Sequence, residues 1–174
     1  MLSLQKPFDV LDTDPEPDIR LRQLARELDN PNDVHARRNA VNTLGYMGSL
    51  PTVDLLIAAL QDRDEQVCTT AISSLGRIGD PHAVPSLCAV LRSGHPCLHA
   101  HAAEALGTIG DPRAVPALVD ALQGTGHKGR IAAIQALAKI GDRQAIEPLV
   151  TALQDGDPGV RLSAAAALSK VGPP

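Results

Sequence analysis

The chain has 174 residues, enough for one ordinary domain with a substantial core, and carries a net charge of −4 at pH 7. With no tryptophan, one phenylalanine and one tyrosine, aliphatic side chains have to fill the interior, which favours closely packed helices over a β-sandwich. The negative net charge argues against a general nucleic-acid binder, and no apolar run is long enough to span a bilayer.

The start of the sequence lacks the features of a secretory signal, and its three cysteines do not form a disulfide framework. We therefore expect reduced thiols, a cytoplasmic location, no membrane contact and no nucleic-acid partner. Residues 1–14 fall outside the pattern that organises the rest of the chain and are predicted to form a flexible arm.

From about residue 17 onward the sequence repeats with a fixed period. The phrase Leu-Gly-x-Ile-Gly, with small variations, recurs at intervals of 31 residues. Its leucines are Leu44, Leu75, Leu106, Leu137 and Leu168. The period predicts five units, at residues 17–48, 49–79, 80–110, 111–141 and 142–172, within one domain of residues 15–174.

Each unit contains two helical patterns. In AVPALVDALQ and LHAHAAEALGTIG, apolar residues recur at helical spacing and form one stripe. Gly110 is predicted to end a second helix in the left-handed conformation, Asp111 to cap the next helix, and Pro112 to take its first position. The slot of Gly76 and Gly107 has room for only a tiny side chain, which predicts a close helix–helix approach. A single helix pair cannot bury its apolar face, so we predict an all-α solenoid of stacked pairs.

The phrases DPRAVPALVDALQ and DPGVRLSAAAALSKVGPP resemble the HEAT-like repeats named after phycobilisome lyases. The resemblance covers most of the chain and implies a right-handed superhelix whose second helices line a concave binding face. Similar repeats occur in bilin lyase subunits, in phycobilisome assembly and degradation factors, in deoxyhypusine hydroxylase and in scaffolding proteins. The resemblance therefore implies the fold and leaves several functions open.

One position of the repeat usually holds arginine in this family. Here it is Arg37, Cys68, His99, Arg130 and Arg161. We predict that these side chains form a ladder of hydrogen bonds to carboxylates and carbonyls of neighbouring loops. His99 is therefore expected to have a structural role.

A second set of positions is mostly polar and changes from unit to unit. Their spacing of i, i+4, i+7 and i+11 places them on one face of each second helix. They are His35, Asn39, Asn42 and Tyr46; Thr70, Ser73 and Arg77; Cys97, His101, Glu104 and Thr108; and Gln135 and Lys139. We predict that they bind a protein partner, such as a phycobiliprotein; a merely solvated face would have the same pattern.

The stretch HPCLHAHAAEALG raises the alternative of an enzyme. His99 and His101 point to opposite sides of a helix, whereas Cys97, His101 and Glu104 share a face and are all zinc-ligand types. The His-Glu pair that resembles the iron site of deoxyhypusine hydroxylase is replaced by Ala100 and His101, so no metal and no cofactor are predicted.

Four further features carry predictions or leave alternatives open. A bilin lyase subunit or chromophore chaperone would use the polar face to hold a bilin, and a metal-dependent oxygenase would use His101, Glu104 and Cys97. Cys97 is the one thiol to test for reactivity, because it starts a helix on the variable face and a helix N-terminus lowers a thiol pKa. The Gly-rich loop 124–129 fits two interpretations equally well, an irregular loop and a hinge. The Ala-rich C-terminal helix lacks a polar outer cap, which predicts a partner or self-association at that end.

Overall fold

A computed structural model describes residues 17–124 and 126–172, so the predicted arm of residues 1–14 lies outside the described residues. This part of the chain forms ten α-helices in five antiparallel pairs. The first helices of the pairs are α1 (Pro17–Leu28), α3 (Leu50–Ala59), α5 (Val84–Leu91), α7 (Val115–Gly124) and α9 (Ile146–Ala152). The second helices are α2 (Val34–Met47), α4 (Glu65–Ile78), α6 (Pro96–Ile109), α8 (His127–Ile140) and α10 (Pro158–Val171). The predicted all-α solenoid is confirmed.

The second helices pack closely on one another in the order α2, α4, α6, α8 and α10, whereas neighbouring first helices touch at few points. An array that is tighter on one side curves toward that side. The second helices therefore line the inner, concave face, and the first helices form the outer, convex face.

Small residues allow this close approach. A Cβ atom added to Gly76 would lie 2.9 Å from the Cα of Ala105, and one added to Gly107 would lie 2.7 Å from the Cα of Ala136. Real Cβ atoms do not come so close to backbone atoms, so these positions need glycine while their neighbours hold their places. The prediction of a close approach at this slot is confirmed.

The ends of the helices follow the predicted pattern with one difference. Gly110 ends α6 with a φ of 75°, and Gly141 ends α8 with a φ of 72°, both in the left-handed region. The Asp111 side chain accepts a hydrogen bond from the Arg113 backbone N–H, but the turn that it caps, Pro112–Ala114, is a 3₁₀ turn that precedes α7. The aspartate thus caps a tighter turn than an α-helix.

The core is aliphatic and continuous along the stack. The repeated leucines Leu44, Leu75, Leu106 and Leu137 have no exposed surface, whereas Leu168 in α10 is half-buried. Leu162, on the outer side of α10, is 74% exposed, in line with the uncapped end that the sequence predicts. In the described part of the chain, no helix has the length and apolar character that crossing a membrane requires.

Candidate functional site

The predicted binding positions lie on the concave face. Among them Thr70 is half-buried and the others are exposed. The structure therefore places these side chains where a partner can reach them on α2, α4, α6 and α8, although Cys97 lies apart from the others. Their role in binding stays a prediction.

The C-terminal ends of the second helices contribute one side chain per repeat to a row along one edge of this face. We call it the edge row; it consists of Tyr46, Arg77, Thr108, Lys139 and Lys170. Arg77 stacks on the ring of Tyr46, with 4.7 Å between the guanidinium carbon and the ring centroid. The contact joins α2 to α4 and fixes the direction of the Arg77 side chain.

Two open grooves run between neighbouring second helices. The α4–α6 groove has a volume of about 400 Å³ and is lined by Ser73, Gly76, Arg77, His101, Glu104, Ala105 and Thr108. The α8–α10 groove has a volume of about 300 Å³ and is lined by Gln135, Ala138, Lys139, Ser163, Ala166, Ala167 and Lys170. Both grooves have a floor of small residues and polar or charged side chains along their sides.

Hydrogen bonds within α6 leave particular atoms available to a ligand. The His101 Nδ1–H donates to the Cys97 carbonyl at 3.2 Å, so the unprotonated Nε2 of the neutral ring is an acceptor. The Thr108 hydroxyl donates to the Glu104 carbonyl at 2.9 Å, which leaves its oxygen as an acceptor. The groove thus presents acceptors on α6, whereas the guanidinium of Arg77 lies over Gly45 of α2 and stacks on Tyr46.

Cys97 does not join His101 and Glu104 in that groove. It lines a separate cavity of about 220 Å³ at the loop edge, together with Glu65, Cys68, Ser93 and His95. Desolvation, followed by the hydrogen bond and charge of Glu65, raises the pKa of the Cys97 thiol. The prediction of a lowered thiol pKa was therefore wrong, because desolvation and then a carboxylate of the preceding repeat raise the pKa against the effect of the helix N-terminus.

The other thiols are packed in the interior, as their places in the repeat indicate. Cys68 and Cys88 are buried, and burial raises the pKa of both. Across residues 17–124 and 126–172, no three His, Cys, Asp or Glu side chains stand close enough to hold a metal ion together.

The arginine position forms the predicted ladder at both ends of the stack. Arg37 Nε lies 2.7 Å from Asp62 Oδ2, and Arg130 Nε lies 2.8 Å from Asp155 Oδ2, each joining one repeat to the next. Arg161 donates to the carbonyls of Asp155 and Gly156.

The two middle positions of the ladder have different side chains. The Cys68 thiol donates to the Asp62 carbonyl at 3.0 Å. His99 is 7% exposed, and its Nε2–H donates to the Ser93 carbonyl at 2.9 Å. The structural interpretation of His99 is confirmed, and both residues keep a carbonyl contact while losing the link between repeats.

The predicted binding positions did not include two residues of the second groove, Ser163 and Lys170. They occupy the same repeat positions as His101 and Lys139, so the 31-residue alignment contained the signal. Sequence reasoning also missed the ion pair of Arg38 with Asp64, at 2.9 Å, which links the first two repeats.

Comparisons with known proteins agree with this architecture. A family model described as HEAT repeats matches residues 20–97, 89–138 and 126–174. A chain in the complex of CpcE and CpcF of phycocyanin lyase from Nostoc sp. PCC7120 is similar with a TM-score of 0.74 and 26% identity, over 98% of this chain and 70% of that chain.

Designed proteins share the fold alone. An engineered protein has a TM-score of 0.59 and 24% identity, over 87% of this chain and 78% of that chain. A computationally designed armadillo repeat protein for modular peptide recognition has a TM-score of 0.57 and 20% identity, over 86% of this chain and 81% of that chain. None of the curated proteins gives a significant match to the chain.

Proposed function

Because the chain belongs to the HEAT-repeat family, we propose that it is a non-catalytic scaffold that binds a protein partner through the concave face of its second helices. The observation that carries the proposal is the set of exposed side chains on this face that differ from repeat to repeat. The repeat itself accounts for the buried leucines, the small residues and the caps. It does not account for His101, Glu104 and Arg77.

The shape of the face supports this function. A curved row of helices offers a partner many contact points at once, and solenoids commonly bind along this surface. The α4–α6 groove combines a cation, a carboxylate and an imidazole over a floor of Gly76 and Ala105. Such a mixture suits a polar protein surface better than an apolar ligand.

The likeness to a chain of the CpcE–CpcF complex makes the proposal more specific. That chain functions in a complex of two proteins of a phycocyanin lyase, and it matches nearly the whole of this chain. We therefore place the partner among phycobiliproteins and the proteins that act on them. The self-association predicted at the exposed end of α10 is a separate proposal.

A capture experiment with two matched variants tests the function. The concave variant changes Ser73, Arg77, His101 and Glu104 to Ala; the convex variant changes the exposed Asp54, Asp120, Glu147 and Thr151 to Ala. Immobilised wild-type protein should retain phycobiliprotein from an extract of phycobilisome-containing cells. The convex variant should retain it equally, and the concave variant should lose it. Equal retention by both variants, or no retention by wild type, contradicts the proposal.

The same likeness favours a second candidate, a bilin-handling role in a lyase. Arg77 and Lys139 offer cations to propionates, and the His101 Nε2 offers an acceptor to a pyrrole N–H. Mixing the protein with a free bilin should then change the bilin absorption spectrum, and His101→Ala should weaken the change. An unchanged spectrum contradicts this second function and leaves the first intact.

A further inference from the structure

Acidic residues are rare on the second helices. Past the first turn of the second helices, Glu104 is the one acidic residue that these five described helices contain, although the chain as a whole has a net charge of −4. The exposed acids of the helices lie mainly on the convex side, as Asp54, Asp120 and Glu147 do. The concave face is thus basic along the edge row, at Arg77, Lys139 and Lys170.

Two of these cations, Arg77 and Lys139, reach across to the preceding helix. A Cβ atom added to Gly45 would lie 2.9 Å from Arg77 Nη2, and one added to Gly107 would lie 3.5 Å from Lys139 Cδ. Each side chain therefore passes over the small residue of the repeat before it. The favourable field of a helix C-terminus explains why cations occur in the last turn, but it does not explain this direction.

The charges of the edge row are available to a ligand. Arg37, Arg38, Arg113 and Arg130 are paired with aspartates. Within residues 17–124 and 126–172, no carboxylate forms an ion pair with Arg77, Lys139 or Lys170. The cations stand instead beside open grooves whose floors are Gly76, Ala105 and Ala138 and the neighbouring small residues.

The spacing of the row sets the spacing of its ligand. Packed helices are about 8–10 Å apart, and an extended chain in the polyproline II conformation rises about 3.1 Å per residue with three residues per turn. One repeat therefore corresponds to about three residues of such a peptide, and every third side chain lies on the same side. Arg77 and Lys139 are two repeats apart, and Lys139 and Lys170 are one repeat apart. Carboxylates that meet all three cations are therefore separated by about six and about three residues.

We propose that the concave face binds an extended, acidic segment of its partner, whose carboxylates pair with Arg77, Lys139 and Lys170. The inference rests on the proposed function and adds the chemistry of the bound segment. The charge of the edge row selects carboxylates, and the floor of small residues lets the peptide backbone lie close to the helices. Thr108 stands in the edge row between Arg77 and Lys139 and carries no positive charge. The carboxylate of Glu104 on the same helix disfavours a fourth carboxylate of the bound segment at this point.

Synthetic peptides test this directly. Labelled peptides of about twelve residues carry three aspartates at these spacings, in both chain directions, in a Gly/Ser background; control peptides carry asparagine instead. The affinities are measured by fluorescence anisotropy at low salt. For one of the two chain directions, the aspartate peptide should bind at least about tenfold more tightly than its asparagine control. The difference should shrink as salt is added.

Matched protein variants locate the contact. The triple variant Arg77→Gln, Lys139→Gln, Lys170→Gln should lose the preference for aspartate. The control variant Arg26→Gln, Arg63→Gln, Arg143→Gln removes three exposed cations elsewhere and should keep it. All six positions are exposed, and unchanged melting curves verify folding.

Three results would overturn the inference: equal binding of the aspartate and asparagine peptides, an equal loss in both variants, or binding of a single-stranded oligothymidine as tight as that of the peptide. The capture experiment separates this failure from failure of the proposed function. If the Gln triple variant retains the phycobiliprotein as wild type does while the concave Ala variant loses it, the acidic segment is wrong and concave binding stands.

Discussion

The guanidinium carbon of Arg77 lies 4.7 Å from the centre of the Tyr46 ring, so that a cation of the second repeat rests on an aromatic ring of the first. Tyr46 is 81% exposed, which makes the contact a surface clamp between α2 and α4. Tyr46→Ala should lower the free energy of unfolding by about 0.5–1 kcal/mol, measured by urea denaturation. Tyr46→Phe keeps the ring face and should be close to wild type; an equal loss in both would assign the effect to the hydroxyl.

The Gly76 slot leads to a prediction about packing. Its added Cβ would meet the Cα and Cβ of Ala105 at 2.9 Å, so Gly76→Ala forces α4 and α6 apart. We expect a loss of about 1–3 kcal/mol in the free energy of unfolding. The control is Gly94→Ala, where a Cβ meets no atom within 4 Å. The free energy of unfolding of Gly94→Ala should stay within about 0.5 kcal/mol of wild type. Equal losses in the two variants would mean that the close approach of α4 and α6 does not cause the loss.

The interrupted ladder leads to a repair experiment. Cys68 and Ser93 take the places that Arg37 and Asp62 hold one repeat earlier. Cys68→Arg alone places a cation at a buried position where the nearby Asp62 carboxylate is already paired with Arg37, and should destabilise the protein. Adding Ser93→Asp supplies the partner, and a double-mutant cycle should show favourable coupling of about 0.5–3 kcal/mol. If the effects of the two substitutions on the free energy of unfolding simply add, the ion-pair geometry seen at Arg37 and Arg130 does not extend to the middle of the stack.

The environment of Cys97 predicts a thiol that is alkylated slowly at neutral pH. Since Glu65 contributes to its raised pKa, less thiolate is present at neutral pH than in an unperturbed cysteine. Glu65→Gln should lower the pKa and speed alkylation by iodoacetamide at pH 7.5, with the pH–rate profile moved to lower pH. Glu104→Gln removes a similar charge from α6, outside the cavity that Cys97 lines, and serves as the control. An unchanged profile in Glu65→Gln would contradict the assignment.

Much of the fold was predictable because the period fixes it. Leu106 recurs every 31 residues and is followed each time by a small residue, and such repetition leaves few ways to bury the leucines. The 3₁₀ turn at Pro112 was not predicted, since an aspartate followed by proline opens either kind of helix equally well. The site was predictable as a set of positions: the spacing identified His101 and Glu104 as neighbours on an exposed face.

Contacts between repeats were harder to predict. The pKa of Cys97 depends on Glu65, which is 32 residues earlier in the chain and adjacent only once the repeats stack. The stacking of Arg77 on Tyr46 has the same origin. The alignment places both residues at one repeat position but does not give the direction in which a long side chain extends.

The claim that the concave face binds the partner is tested most directly by covalent capture from each face. A photo-reactive amino acid replaces His101 on the concave side or Asp120 on the convex side, both of which are exposed. Each protein is irradiated with phycobiliprotein and the crosslinked product is measured. We predict a crosslink from the His101 position and none from the Asp120 position. A crosslink from the convex position alone would contradict the account.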